Sequence, residues 1–164
     1  MERDSPGAGD FGAWVPGDSA GRPGRTALVR QYIDSSAFLK VFFEEDLSDA
    51  LREYLTEASA AHTICSSNLL ETECRRAAHR EGIEQGTISA ALANVRLFSA
   101  SDEILHNAGM MLPSGDAFLR SLDAIHLATA QSCAAERFIT YDDRQFAAAR
   151  ALGFQVVSPG VSDQ

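Results

Sequence analysis

Four carboxylates, those of Asp34, Glu73, Asp123 and Asp142, lie where an acid can do more than keep a surface wet. Asp34 closes the apolar run RQYID and Asp142 follows RFITY, so each stands just past the end of a predicted strand. Asp123 is embedded in LRSLDAIHLATA, among Leu119, Leu122, Ile125 and Leu127, where burying a charge is expensive without a cation or hydrogen-bond partners. Glu73 lies in SNLLETECRRAAHR, at the border of a face traced by Leu70, Cys74, Ala77 and Ala78. Clustered carboxylate oxygens suit Mg2+ or Mn2+ better than imidazole or thiolate would. An ion of that kind, or two about 4 Å apart, activates water and neutralises charge on a phosphate under attack.

Each acid also has a plainer role open to it. Asp34 and Asp142 can cap the helices that follow them, although Asp143 fits the second cap better and leaves Asp142 for chemistry. Glu73 can pair with Arg76, while Glu71 is spaced to pair with Arg75 on the solvated side. Asp123 can cap its own helix or contact His126 or Arg120, and His126 itself reads as packed or hydrogen-bonded rather than as a ligand.

The elements that must bring these acids together alternate between short apolar runs and helical patterns, which predicts an α/β fold with a parallel sheet. Strands are expected at 30–34, 62–66, 137–141 and 154–157, with a short one at 97–100. Helices are expected at 36–44, 46–60, from Ser66 or Ser67 to about Arg80, and at 83–96, 102–112, 119–135 and 143–152, the last stopped by Gly153. In an open α/β sheet, ligands sit beyond the carboxyl ends of the strands where the strand order reverses. If the first strand and RFITY are neighbours, Asp34 and Asp142 meet there.

With 164 residues, 45% of them hydrophobic, the chain supports one domain, predicted over residues 29–160. Residues 1–28, rich in Gly, Pro, Ser and Asp without period, are predicted to be a disordered extension, and Val29 is a candidate start of translation. No apolar run approaches the ~18 residues that cross a bilayer, and no secretory signal opens the chain, so no membrane is involved and a cytoplasmic protein is expected. Cys65, Cys74 and Cys133 lack ligand spacing and read as reduced core thiols. The net charge of −9 argues against a polyanionic partner, but a metal site must concentrate carboxylates and a bound cation inverts the local field. The bases are one lysine, Lys40, and thirteen arginines, a bias compatible with phosphate contacts and equally with a GC-rich genome.

The segments YIDSSAFLKVFFEE, SNLLETECRRA, LRSLDAIHLATA and FITYDDRQFAAARALGF, in this order and spacing, resemble PIN-domain proteins, and among them the VapC toxins of bacterial toxin–antitoxin pairs. The resemblance covers about Val29 to Pro159. It implies a three-layer, Rossmann-like PIN fold with a central parallel sheet flanked by helices, Mg2+-dependent endoribonuclease activity, a homodimer, and inhibition by a cognate VapB-type antitoxin. By position, Asp34, Glu73, Asp123 and Asp142 match the family's acids, and Thr140, on the strand face of Asp142, matches a supporting hydroxyl. On this reading Asp34, Asp123 and Asp142 anchor the metal while Glu73 completes its shell or orients the attacking water. Arg75, Arg76, Arg80, Arg120 and Arg144 are candidates for RNA-phosphate contact. Two alternatives keep the fold: a module that binds RNA or an antitoxin without cutting, and a solitary PIN nuclease of RNA processing. A phosphatase or phosphoryl-transfer enzyme ranks below these, since DSSAF has no second Asp two residues on and no GxxxxGK[ST] loop occurs.

Overall fold

The computed structural model describes residues 28–111 and 119–161. The predicted disorder of residues 1–28 therefore lies, except for Leu28, outside the described residues. Five parallel strands, β1 (Arg30–Ile33), β2 (Thr63–Ser67), β3 (Arg96–Phe98), β4 (Arg137–Ile139) and β5 (Gln155–Val157), form one sheet in the order β3-β2-β1-β4-β5. The chain moves outward from β1 through β2 to β3, then returns to place β4 on the other side of β1. The reversal falls between β1 and β4, whose residues Tyr32 and Phe138 stand side by side in register. The neighbour relation on which the meeting of Asp34 and Asp142 depends is thus present.

Helices cover both faces because β1, β2 and β4 are apolar on both. Ile33, Ile64 and Ile139 point to a core shared with α1 (Ser35–Lys40), α2 (Ser48–Ala61), α3 (Leu69–Glu81) and α4 (Gln85–Leu92). The alternate residues Tyr32, Cys65 and Phe138 pack on the opposite face with Leu127 and Ala130 of α6 (Ser121–Ser132) and Ala148 and Ala149 of α7 (Asp143–Ala151). A third, smaller cluster joins Ile104 and Ala108 of α5 (Asp102–Met110) to Ala124 and Ala128 of α6. All three cysteines are buried and free, as expected for core thiols.

Several helices are shorter than expected: α1 stops at Lys40 rather than 44 and α4 covers Gln85–Leu92 rather than 83–96, and for two others the backbone shows a local reason. α2 begins at Ser48 rather than residue 46 because Leu47 adopts a left-handed conformation (φ 71°) that cannot continue a helix. Against that turn packs Gly160 (φ +82°), where a Cβ would stand 2.9 Å from the Ala50 Cβ. α6 is shorter at both ends than the expected 119–135. Arg120 is extended, and at the far end Ala134 turns left-handed (φ 51°), with Ala135 N–H donating to Ala130 O (3.0 Å) and Ala134 N–H to Gln131 O (2.9 Å). That pair of bonds closes the helix in the manner usually reserved for glycine.

Candidate active site

Asp34 leaves the end of β1 and is completely buried. Its carboxylate accepts from the Ala37 amide (2.9 Å), which makes it the N-cap of α1, and from the hydroxyls of Ser36 (2.8 Å) and Thr140 (2.6 Å). The capping role and the deep position therefore coexist. Burial pushes the Asp34 carboxyl above its usual range, and the hydrogen bonds from Thr140, Ala37 and Ser36 oppose that push. Thr140 lies one residue past β4, and its Oγ1 also accepts from the Asp142 amide (3.0 Å). One hydroxyl so ties the loops after β1 and β4 together across the reversal point.

Asp142, not Asp143, caps α7: its Oδ1 accepts from the amides of Arg144 (2.9 Å) and Gln145 (3.0 Å). Asp143 is the first helical residue instead. A single oxygen serves both capping bonds, and Oδ2 of Asp142 has no hydrogen bond among the described residues. Asp142 thus combines a cap with an open ligand position, two roles the sequence reading had divided between neighbours.

Asp123 occupies the first turn of α6 and is half-buried rather than sunk in an apolar cylinder, since Leu122 beside it is 46% exposed. The apolar surround sets in only with the buried residues Ala124, His126 and Leu127. The strain on its charge is nonetheless present. Burial first, and the nearby Asp142 carboxylate second, raise the Asp123 carboxyl above its ordinary range. Its Oδ2 is buried without a hydrogen-bond partner, Oδ1 has a long contact from Gln145 Nε2 (3.5 Å), and the Arg120 amide and guanidinium oppose the rise. Gln145 is buried and touches both Asp123 and Asp142, a link that no local pattern announces.

Glu73 projects from α3 toward the same end of the sheet. It pairs with His126 rather than Arg76: His126 Nε2 lies 2.9 Å from Oε2, and Ser35 Oγ donates to the same oxygen. Burial disfavours its charge, but the bonds from His126 and Ser35 outweigh burial and hold the carboxyl below its usual range. The predicted Glu71–Arg75 pair forms at 2.8 Å. Arg75 and Arg80 are engaged with acids on their own helix, while Arg144 lies 4.0 Å from Asp142. Arg76 and Arg120 are exposed.

The acids therefore fall into two hydrogen-bonded groups that meet at the adjacent residues Ser35 and Ser36: Glu73 with Ser35 and His126, and Asp34 with Ser36 and Thr140, which continues to Asp142 and, through Gln145, Asp123. Among the described residues no three His, Cys, Asp or Glu side chains stand close enough to hold an ion by themselves. Hydroxyl and amide groups separate them. An Mg2+ ion fits that arrangement, because it keeps several waters and takes only one or two carboxylates directly. The orphaned Asp123 Oδ2 and the Asp142 Oδ2 that makes no capping bond are hard oxygen donors, and no lysine or arginine forms an ion pair with Asp34, Glu73 or Asp123 among the described residues. Ser35, Ser36, Tyr32, His126 and Gln145 belong to the site and escaped the sequence reading as functional groups. The signals available were the two serines directly after Asp34 and the three-residue spacing of Asp123 and His126 on one helix face.

Comparison with known proteins places this architecture. The PIN domain family profile matches residues 31–152. The chain belongs to the PIN domain family and, within it, to the VapC-type ribonucleases. It is 42% identical over 131 residues to Ribonuclease VapC46 of Mycobacterium tuberculosis, a match covering 78% of this chain and 96% of that protein. Ribonuclease VapC35 of the same organism is 36% identical over 136 residues, covering 79% and 96%. Among solved structures, a toxin–antitoxin complex from Klebsiella pneumoniae superposes with a TM-score of 0.60 at 23% identity, over 79% of this chain and 97% of that one. VapC20 of M. tuberculosis, described as a Sarcin-Ricin loop cleaving toxin, superposes with a TM-score of 0.59 at 16% identity, over 75% and 95%. These two structures share the fold.

Proposed function

We propose that the chain is the toxin of a VapBC-type toxin–antitoxin pair, a Mg2+-dependent endoribonuclease that also accepts Mn2+ and is held in check by a cognate VapB-type antitoxin. The observation that carries the reading is Asp123 Oδ2, buried without a hydrogen-bond partner in the field of the nearby Asp142 carboxylate, whose α7 follows β4 at the reversal of the sheet. Support comes from relatives named as ribonucleases across nearly their whole length, and from a structural neighbour that is a toxin–antitoxin complex. A homodimer working in the cytoplasm belongs to the same proposal.

Asp123 and Asp142 would hold the ion, with Asp34 and Glu73 completing the acidic shell. The ion supplies a water of lowered pKa and charge neutralisation on the scissile phosphate. Thr140 and Ser36 keep Asp34 fixed while it works, and Thr140 sets the loop that carries Asp142. Glu73, ionised at neutral pH, keeps Oε2 bound to the protein and offers Oε1 to the attacking water, whose orientation it sets. Exposed Arg76 and Arg120 are placed to contact RNA phosphates.

Water attack in line with the 3′ oxygen leaves a 5′-phosphate and a 3′-hydroxyl. Mapping the ends of RNA cut by the purified protein with Mg2+ tests the mechanism: 5′-phosphate ends are expected. Ends bearing 5′-hydroxyl and 2′,3′-cyclic phosphate would reject it, and RNA bound but never cut would favour the non-cleaving module.

A further inference from the structure

We propose that His126, locked by Tyr32, is a positioning residue that reserves Glu73 Oε2 for the protein and so turns Glu73 Oε1 toward the ion and its water. The inference rests on the metal-site reading above and assigns it two residues, Tyr32 of β1 and His126 of α6, that meet on one face of the sheet. With one hydrogen on the ring, the hydrogen bonds allow one arrangement of protons. Glu73 Oε2 already accepts from Ser35 Oγ, so the imidazole Nε2 2.9 Å from it carries the hydrogen. In the neutral ring Nδ1 is then an acceptor, and the Tyr32 hydroxyl 2.7 Å away must donate to it. That hydroxyl is turned the right way because its oxygen already accepts the Ser67 amide (2.9 Å). The donor sequence runs from the β2 main chain through Tyr32 and His126 to Glu73.

The relay is stiff. Tyr32 has no solvent exposure and stacks on Phe138 with ring centroids 5.2 Å apart, while its edge meets His126 at 5.8 Å. The His126 side chain is 2% exposed and that of Glu73 25%, so the acid is the end of the relay that faces outward. Ser35 adds a second donor to the same Oε2. With two donors on one oxygen, Oε1 is the atom left for an ion or water. The order of groups also excludes a serine nucleophile: Ser35 and Glu73 share the Nε2 side of the imidazole, whereas a serine–histidine–acid triad needs them on opposite nitrogens.

The test combines ring-nitrogen NMR of His126, Mn2+ affinity by electron paramagnetic resonance, and steady-state RNA cleavage, on wild type, His126→Leu, His126→Gln and Tyr32→Phe. Wild type is expected to show hydrogen on Nε2. His126→Leu is expected to weaken Mn2+ binding about 10-fold and lower kcat about 10- to 100-fold with KM for RNA little changed, in the range seen when groups behind metal ligands are removed. His126→Gln, whose amide can donate to Glu73, is expected to recover most of both losses. A folded His126→Leu protein with wild-type Mn2+ affinity and kcat overturns the inference alone. Hydrogen on Nδ1 in wild type does the same. Should His126→Leu fail to fold, Tyr32→Phe decides: mixed tautomers with weaker Mn2+ binding are expected, and no change in either is contrary. Wild type that binds no Mn2+ overturns the metal-site reading, and this inference with it.

Discussion

Asp123 shows how a functional charge taxes the protein that carries it. Its carboxyl is raised by burial and by Asp142, so the folded chain prefers it protonated. The stability tied to that proton is present below the ordinary value of 3.8 and is lost as pH rises through 3.8 toward the raised folded value. At neutral pH without divalent ions the charge destabilises. Asp123→Asn is therefore expected to melt higher than wild type by about 2–4 °C in chelator at pH 7. The gain should vanish below the ordinary carboxyl range and reverse when Mg2+ is added, since only wild type then gains from binding. Thermal melts at two pH values, with and without the ion, check this; a lower melting temperature for the variant in chelator at pH 7 would contradict it. The partial burial of Asp123 was legible from its apolar neighbours, but its place in the first turn was not, because periodicity says which face is buried and little about where a helix starts.

At the level of elements, strand and helix order was readable because apolar runs and helical spacing are local. Boundaries that depend on a single backbone conformation were not. The swap of capping roles between Asp142 and Asp143 is one such case, decided by which residue leaves β4 extended. The end of α6 is another, where no glycine or proline marks the left-handed turn at Ala134. An alanine there carries a conformational cost that glycine lacks, partly offset by the greater freedom of glycine in the unfolded chain. Ala134→Gly is expected to stabilise the fold by about 0.5–1 kcal/mol in denaturant melts without changing cleavage. A loss of stability would mean that the Ala134 methyl contributes packing that outweighs its backbone conformation.

For the whole molecule, the strand order brings residues more than a hundred positions apart into one site, as the Thr140–Asp34 bond does. Four acids in a family pattern and the Thr140 hydroxyl were visible along the chain; the serines and Gln145 were not, nor the Tyr32–His126–Glu73 contacts, which form only after three elements have packed. The proposed metal site would reconcile the net charge of −9 with a polyanionic substrate, since a bound cation would offset the acids gathered around it. The central claim is that this cation is required and that the acids hold it. RNA cleavage by the purified protein, followed in Mg2+, in excess chelator, after Mg2+ is restored, and with Asp123→Asn in place of wild type, tests it most directly. Cleavage is expected with Mg2+, abolished by chelator, recovered on restoring the ion, and reduced at least 100-fold in the variant. Cutting that continues unchanged in chelator or in Asp123→Asn would contradict the account.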